Sequence, residues 1–205
     1  FERIHRLIRW AIRSNLASVL TDCPHREKLG WLEQTWLMGE AVHFDHDLFG
    51  LYRKQVGDIL DAQAPDGLVP SIAPEYVTFE GGFRDSPEWG SAGVVLPWLL
   101  YRWHGDRETL ARAWPAMTRY VDYLGRKAEG HLLSHGLGDW YDLGPRFPGE
   151  AQLTPKAVTA TATYFHDLRL LARAAGVLGK PEEAARYDAL ADEVKRAFNE
   201  AFFDA

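Results

Sequence analysis

Eleven consecutive residues, Thr21-Asp22-Cys23-Pro24-His25-Arg26-Glu27-Lys28-Leu29-Gly30-Trp31, gather two carboxylates, a guanidinium and an indole into one short segment. Pro24 and Gly30 break it and helical patterns flank it, so it reads as a loop or as a single turn capped by Asp22. Loops held by rigid elements are a common place for chemistry. Splitting a glycosidic bond needs one acid to protonate the departing oxygen and one carboxylate to activate water or attack carbon. Glu27 has the chemistry of the proton donor, and Trp31 offers a flat apolar face to a sugar ring.

Two further clusters combine tryptophan with acids: Asp85, Glu88 and Trp89, then Asp139, Trp140 and Asp142. Trp31, Trp89 and Trp140 are spaced by 58 and 51 residues, about one helical hairpin each. Such a period implies a helical repeat array or toroid, in which alternate connections emerge at the same end. The three clusters would then share one mouth, with aromatic walls and a few placed polar groups, as small-molecule pockets have. Taken singly, each feature has a plainer reading. Tryptophans at helix ends usually pack, Asp beside a loop Gly is ordinary turn chemistry, and Glu27 can pair with Arg26 or Lys28. Helix capping alone does not require Asp, Pro, Arg, Glu, Gly and Trp together.

The elements that must position these clusters are helices. Residues 3–17 repeat Ile4, Leu7, Ile8, Ala11, Ile12 and Leu16 at helical spacing, with Arg3, Arg6, Arg9 and Arg13 as a solvated face. A helix is expected over 32–41, and another from Leu48, capped by Asp45 or Asp47. Residues 63–90 carry Pro65, Gly67, Pro70, Pro74, Gly81, Gly82 and Pro87 and lose the helical period. Ile72, Tyr76, Val77, Phe79, Phe83 and Trp89 make this stretch an ordered lid or wall rather than a disordered linker. Helices follow at 91–104 and 107–127, joined by Gly105-Asp106 as an antiparallel hairpin. A second loop runs over 129–155. Helices at 156–175 and 181–202 finish the chain, the last opened by Pro181, Glu182 and Glu183. The fold class is all-α.

Composition excludes several functions. Lys and Arg number 23 against 29 Asp and Glu, a formal net charge of −6, the wrong balance for tracking nucleic acid. No apolar run approaches membrane-spanning length. The lone Cys23 rules out an internal disulfide framework or a cysteine-rich metal site. His43-Phe44-Asp45-His46-Asp47 has metal-ligating types but no i,i+4 His pair, and reads as a helix cap. No phosphate-binding Gly loop or Ser/His/Asp signature is present.

The string from Thr21 to Trp31 closely resembles the signature of bacterial α-L-rhamnosidases of glycoside hydrolase family 78. Ala73-Pro74-Glu75-Tyr76, Asp85-Ser86-Pro87-Glu88-Trp89-Gly90, Pro97-Trp98 and Gly138-Asp139-Trp140 resemble later strings of the same catalytic domain. The resemblance implies an (α/α)6 barrel that removes terminal α-L-rhamnose with inversion and without a cofactor. It implies Glu27 as general acid, and Asp22, Arg26, Trp31, Asp85, Trp89, Asp139 and Trp140 as substrate-binding residues. Where members often continue Gly-Trp-x-Gly-Asp, this chain has Gly30-Trp31-Leu32-Glu33-Gln34.

The family's general base is a Glu well downstream, and at roughly 55 residues per hairpin this chain holds about four of six hairpins. Residues 1–205 are therefore expected to be the N-terminal portion of a single (α/α)6 domain. That portion would bind a rhamnoside, pack against the remainder of its own barrel, and have little activity alone. Another helical-barrel glycosidase or lyase, or a non-catalytic carbohydrate-binding array, would share the same pattern.

Overall fold

A computed structural model describes residues 1–203; Asp204 and Ala205 lie outside the described residues. Among the described residues the chain forms nine α-helices and no β-strand beyond isolated bridges. They are α1 (Glu2–Asn15), α2 (Leu32–Leu37), α3 (Gly39–Asp45), α4 (Phe49–Ala62), α5 (Pro87–Gly90), α6 (Ala92–His104), α7 (Arg107–Lys127), α8 (Lys156–Leu178) and α9 (Pro181–Phe202). The all-α expectation and the hairpin order hold.

The helices form two rows. α6 touches α2 on one side and α8 on the other; behind this row α4 packs on α6 and α7, α7 on α6 and α8, and α9 on α8. α6 is the centre of the core. Residues 92–97, Leu99 and Leu100 are all buried, so it is apolar nearly all round, as a helix enclosed on every side must be. Tight ends make the hairpins. Gly105 closes α6 in the left-handed region at φ 68°, and the Asp106 carboxylate accepts from Thr109 N (3.0 Å) and Thr109 Oγ1 (2.6 Å) to cap α7. Gly179, at φ 76°, does the same for α8 before Pro181 opens α9.

Three expectations need correction. The helix expected over 32–41 is broken at Met38 into α2 and α3. The buried Tyr52 hydroxyl donates to the Thr35 carbonyl at 2.6 Å, competing for the acceptor that a continuous helix would offer to residue 39. Gly39 permits this approach, because a Cβ there would meet Tyr52 Oη at 2.8 Å. The proline-rich stretch does contain helix: a 3-10 turn at Gly81–Phe83 and the single turn α5. Finally, α1 is amphipathic but buries only Ile12. Ile4 and Leu7 are 63% and 62% exposed, so its apolar stripe faces solvent here. Of the two acids expected to cap α4, Asp47 does so through Phe49 N (2.9 Å), whereas Asp45 pairs with His5 and Arg9 of α1.

The lid expected over 63–90 is ordered against the core by Leu68, Val69, Ile72 and Ala73, all buried. The α5–α6 junction behind it is packed without slack. A Cβ on Gly90 would run into the ring and hydroxyl of Tyr120, itself fully enclosed and unable to retreat. Gly90→Ala is therefore expected to destabilise the fold by about 1–3 kcal/mol, read from the denaturant midpoint at unchanged m-value. A neutral result would mean that α5 can shift away from α7.

Candidate active site

The organising segment is a pinched loop. Asp22 N donates to Leu29 O (3.1 Å) and Asp22 Oδ1 accepts from Leu29 N (3.0 Å), so one residue closes both sides of the neck. Inside it, residues 24–27 form a turn, and Glu27 N donates to Cys23 Sγ at 3.1 Å. Beyond the neck the backbone pairs with the lid: Leu32 N donates to Ser71 O (2.9 Å) and Ala73 N to Gly30 O (3.3 Å). A Cβ at Gly30 would meet Ala73 O at 2.8 Å, which explains the glycine. The Tyr76 hydroxyl donates to Lys28 O at 3.0 Å, adding a second tie from lid to loop.

This framework delivers Glu27 to the surface of a cavity. Trp31 Nε1 donates to Glu27 Oε2 at 2.9 Å, and the Arg26 guanidinium lies 3.4 Å from Oε1. The cavity measures about 250 Å³. Asp22, Arg26, Glu27 and Trp31 line it from the first loop, Phe83 and Trp89 from the lid, and Leu137 and Trp140 from the loop over 129–155. The lid and this last loop are joined by Ser86, whose hydroxyl donates to Gly82 O (2.9 Å) and accepts from Leu137 N (2.7 Å). Trp31, Trp89 and Trp140 therefore share one mouth.

Two sequence candidates stand outside the lining. Asp85 is turned away and engaged with Lys127, the Tyr123 hydroxyl (2.6 Å) and His135 Nε2 (3.3 Å). Burial alone would raise its pKa, but hydrogen bonds from His135, Lys127 and Tyr123 prevail and pull it down to about 2. It is an anchor between the lid and the end of α7. Asp139 is exposed, 3.5 Å from the Thr154 hydroxyl, and reaches the cavity only as a neighbouring charge. Asp142 is likewise occupied, accepting from Gln152 N (2.9 Å) and Leu153 N (2.8 Å).

The chain is similar to known proteins over nearly its whole length. A sequence profile described as the bacterial alpha-L-rhamnosidase six-hairpin glycosidase domain matches residues 1–205. The chain belongs to this family. A protein named alpha-L-rhamnosidase from Streptomyces avermitilis is 35% identical over 98% of the chain, which spans 18% of that protein. A solved alpha-L-rhamnosidase from Dictyoglumus thermophilum superposes with a TM-score of 0.92 at 33% identity, covering 99% of this chain and 22% of that one. The crystal structure of the Streptomyces avermitilis enzyme with L-rhamnose has a TM-score of 0.81 at 34% identity, covering all of this chain and 19% of that one. The chain thus spans about a fifth of the length of these rhamnosidases.

The cavity of this family member also holds one acid, Glu33, to which sequence reading gave no role. Glu33 and Gln34 both line it. Burial, then the charges of Glu88 and Asp139, push the Glu33 pKa up to about 7. Glu88 is buried beside Trp89, and neither of its carboxyl oxygens has a partner in hydrogen-bonding geometry. Burial raises its pKa, and this outweighs the opposing pull of the nearby His135 and Lys156 charges. The sequence signal for Glu33 was its place in Gly30-Trp31-Leu32-Glu33-Gln34, where members often continue Gly-Trp-x-Gly-Asp. Among the described residues no group of three or more His, Cys, Asp or Glu is arranged to hold a metal ion.

Opposite pH signatures follow. The fold disfavours ionised Glu33, so its cost is absent below the ordinary value of 4.5 and grows as pH rises through about 7. Glu33→Gln in the intact chain is expected to raise the thermal midpoint near pH 8 and leave it close to wild type near pH 4. Asp85 runs the other way: its stabilisation is present above 3.8 and is lost as pH falls toward 2. Asp85→Asn is expected to lower the midpoint at neutral pH far more than near pH 2.5. Shifts independent of pH in thermal melts would contradict both assignments.

Proposed function

We propose that the complete protein of which this chain is a part hydrolyses terminal α-L-rhamnosides with inversion. Glu27 is the general acid, and the general base is contributed by residues outside this chain. On this reading residues 1–205 are the N-terminal portion of one (α/α)6 catalytic domain. The observation that supports it best is the joint placement of Glu27, Trp31, Asp22 and Arg26 on one cavity by a loop whose sequence carries the family signature. Glu27 reaches that cavity through a side chain held by Trp31 Nε1, so its carboxyl is aimed rather than free. A proton delivered from a fixed position to the departing oxygen typically raises the rate by a factor of about 10²–10⁴.

The neighbours of Glu27 divide the remaining work. Asp22 Oδ2 and the Arg26 guanidinium supply an acceptor and donors for sugar hydroxyls, while Trp31, Trp89 and Trp140 present apolar faces to the ring carbons and the rhamnose methyl group. An inverting partner must stand roughly 6.5–9.5 Å from Glu27 to leave room for the attacking water. Glu33 supports a second reading of the acid, since burial and neighbouring carboxylates push its carboxyl up to about 7 in the same cavity, in the range suited to proton donation near neutral pH.

Substitution separates the two. Glu27→Gln in the complete protein is expected to lower kcat roughly 10²–10⁴-fold with rhamnose affinity retained. If Glu33→Gln produces that loss and Glu27→Gln does not, the acid is Glu33. If neither slows turnover, neither residue is the acid, which favours a binding or scaffolding role for residues 1–205. Equal loss of turnover and affinity with Glu27→Gln would indicate a folding defect, to be checked by the thermal midpoint.

A further inference from the structure

One face of α1 carries charge that the fold does not neutralise. Within Glu2–Asn15 four arginines stand against one glutamate, in a chain whose formal net charge is −6. Arg6, Arg9, Trp10 and Arg13 recur at spacings of three and four residues, so they share one side of the helix. Like charges at that spacing repel and weaken a helix. Among the described residues only Arg9 of these has an acid within ion-pair distance, Asp45 Oδ1 at 3.7 Å, and His5 shares that carboxylate. Helix formation alone gives no reason to keep such a stripe.

The stripe lines an open groove. Arg6, Arg9, Trp10, Arg13 and Leu16 border it from α1, with His46, which follows α3, around a volume of about 520 Å³. That is roughly twice the cavity beside Glu27. Trp10 is 59% exposed, and the Arg13 guanidinium lies over its ring, 5.2 Å from the centroid, a cation–π contact that orders both side chains. From Arg6 to Arg13 the helix rises roughly 10 Å. The end of α1 is tied to the loop over 21–31: Thr21 N donates to Asn15 O at 3.0 Å, and Thr21 Oγ1 to Asn15 Oδ1 at 2.9 Å. The groove therefore runs from Arg6 toward the segment that carries Glu27.

Two chemistries meet there. A guanidinium presents paired N–H donors that match the two oxygens of a carboxylate, and an exposed indole offers a flat apolar face to a sugar ring. A neutral sugar would leave the arginines unused. A nucleic acid, with one charge per about 1.7 Å of duplex axis, needs a longer positive track than this short stripe on an otherwise acidic chain. A sugar that carries a carboxylate uses both the arginines and the indole. We propose that this face of α1, with His46, is a binding site for an acidic glycan, and that it takes the uronate residues of a sugar chain. It holds such a chain beside the 21–31 loop and takes no part in bond cleavage. Binding there is independent of the role given to Glu27 and is read without turnover.

The test uses the complete protein and a trimer of galacturonic acid, with the same trimer after reduction of its carboxyl groups as the neutral control. Calorimetric titration is expected to show binding of the acidic trimer that weakens as salt is raised, and binding of the reduced trimer at least about tenfold weaker. The double variant Arg6→Gln, Arg13→Gln is expected to lose affinity by about tenfold or more, and Trp10→Leu to weaken binding without removing its salt dependence. Turnover of p-nitrophenyl α-L-rhamnoside should stay at the wild-type level in both, since these side chains lie outside the Glu27 cavity. Equal affinity for the two trimers, or an arginine variant that binds as wild type does, overturns the site. Inorganic phosphate or an oligodeoxynucleotide bound as tightly as the acidic trimer makes the groove a general anion site and overturns the glycan assignment. Absence of binding by wild type overturns it too, and a lowered thermal midpoint in the arginine variant would then show that another part of the complete protein fills the groove. A wild-type protein inactive on the aryl rhamnoside contradicts the rhamnosidase reading and leaves the binding result to stand by itself.

Discussion

The cavity depends on one short piece of backbone pairing. Residues 30–32 lie antiparallel to 71–73, with Leu32 and Ile72 buried on either side of the contact. In paired extended chains successive side chains alternate between faces. Leu32 therefore points into the core while Trp31, its neighbour, points to the cavity and holds Glu27. Gly30 is required because the Ala73 carbonyl occupies the space a side chain would need. Shifting this register by one residue would exchange Trp31 and Leu32, removing the indole from the acid and burying it in the core.

Acidic residues in the loops serve two separable purposes. Asp22, Asp85, Asp106 and Asp142 are largely committed to the fold, accepting from backbone amides, a lysine or hydroxyl groups that would otherwise leave loop termini unsatisfied. Asp167, fully buried in α8, accepts from the Ser91 hydroxyl at 2.5 Å, and burial raises its pKa well above the ordinary range. A protonated carboxyl there links α8 to the start of α6 without a buried charge. Glu27, Glu33 and Glu88 differ: longer by one methylene, they project past the backbone that Asp residues tie down. Two of them line the cavity and the third is buried next to Trp89 in sequence.

The exposed apolar stripe of α1 and the apolar lining between α8 and α9, with Phe165 and Phe198, mark the two edges of the array. Within a helical toroid each hairpin is covered by its neighbours, and terminal helices without a neighbour keep an apolar face in water. The rhamnosidases matched by this chain are about five times as long, and the match covers nearly the whole of it. In the (α/α)6 ring proposed above, neighbouring hairpins would cover both of these faces.

Helix content, hairpin order, the end of α6, and the loop character of 21–31 were legible in the sequence, whereas α8, expected to stop at 175, runs on to Leu178. The legible features arise from local physics, namely periodic burial, capping by Asp106 and glycines at positive φ. The spacing of Trp31, Trp89 and Trp140 even carried their convergence, because repeated hairpins place alternate loops at one end. The break at Met38 was not legible, since the competing donor is Tyr52 on another helix. Nor was the fate of individual acids. Asp85 and Glu33 look alike as loop-proximal carboxylates, yet one is held ionised by Lys127, Tyr123 and His135 and the other is raised to about 7 by burial and Glu88. A carboxylate's role is set by solvent and charges brought near it from distant positions, and only the packed tertiary structure decides those distances.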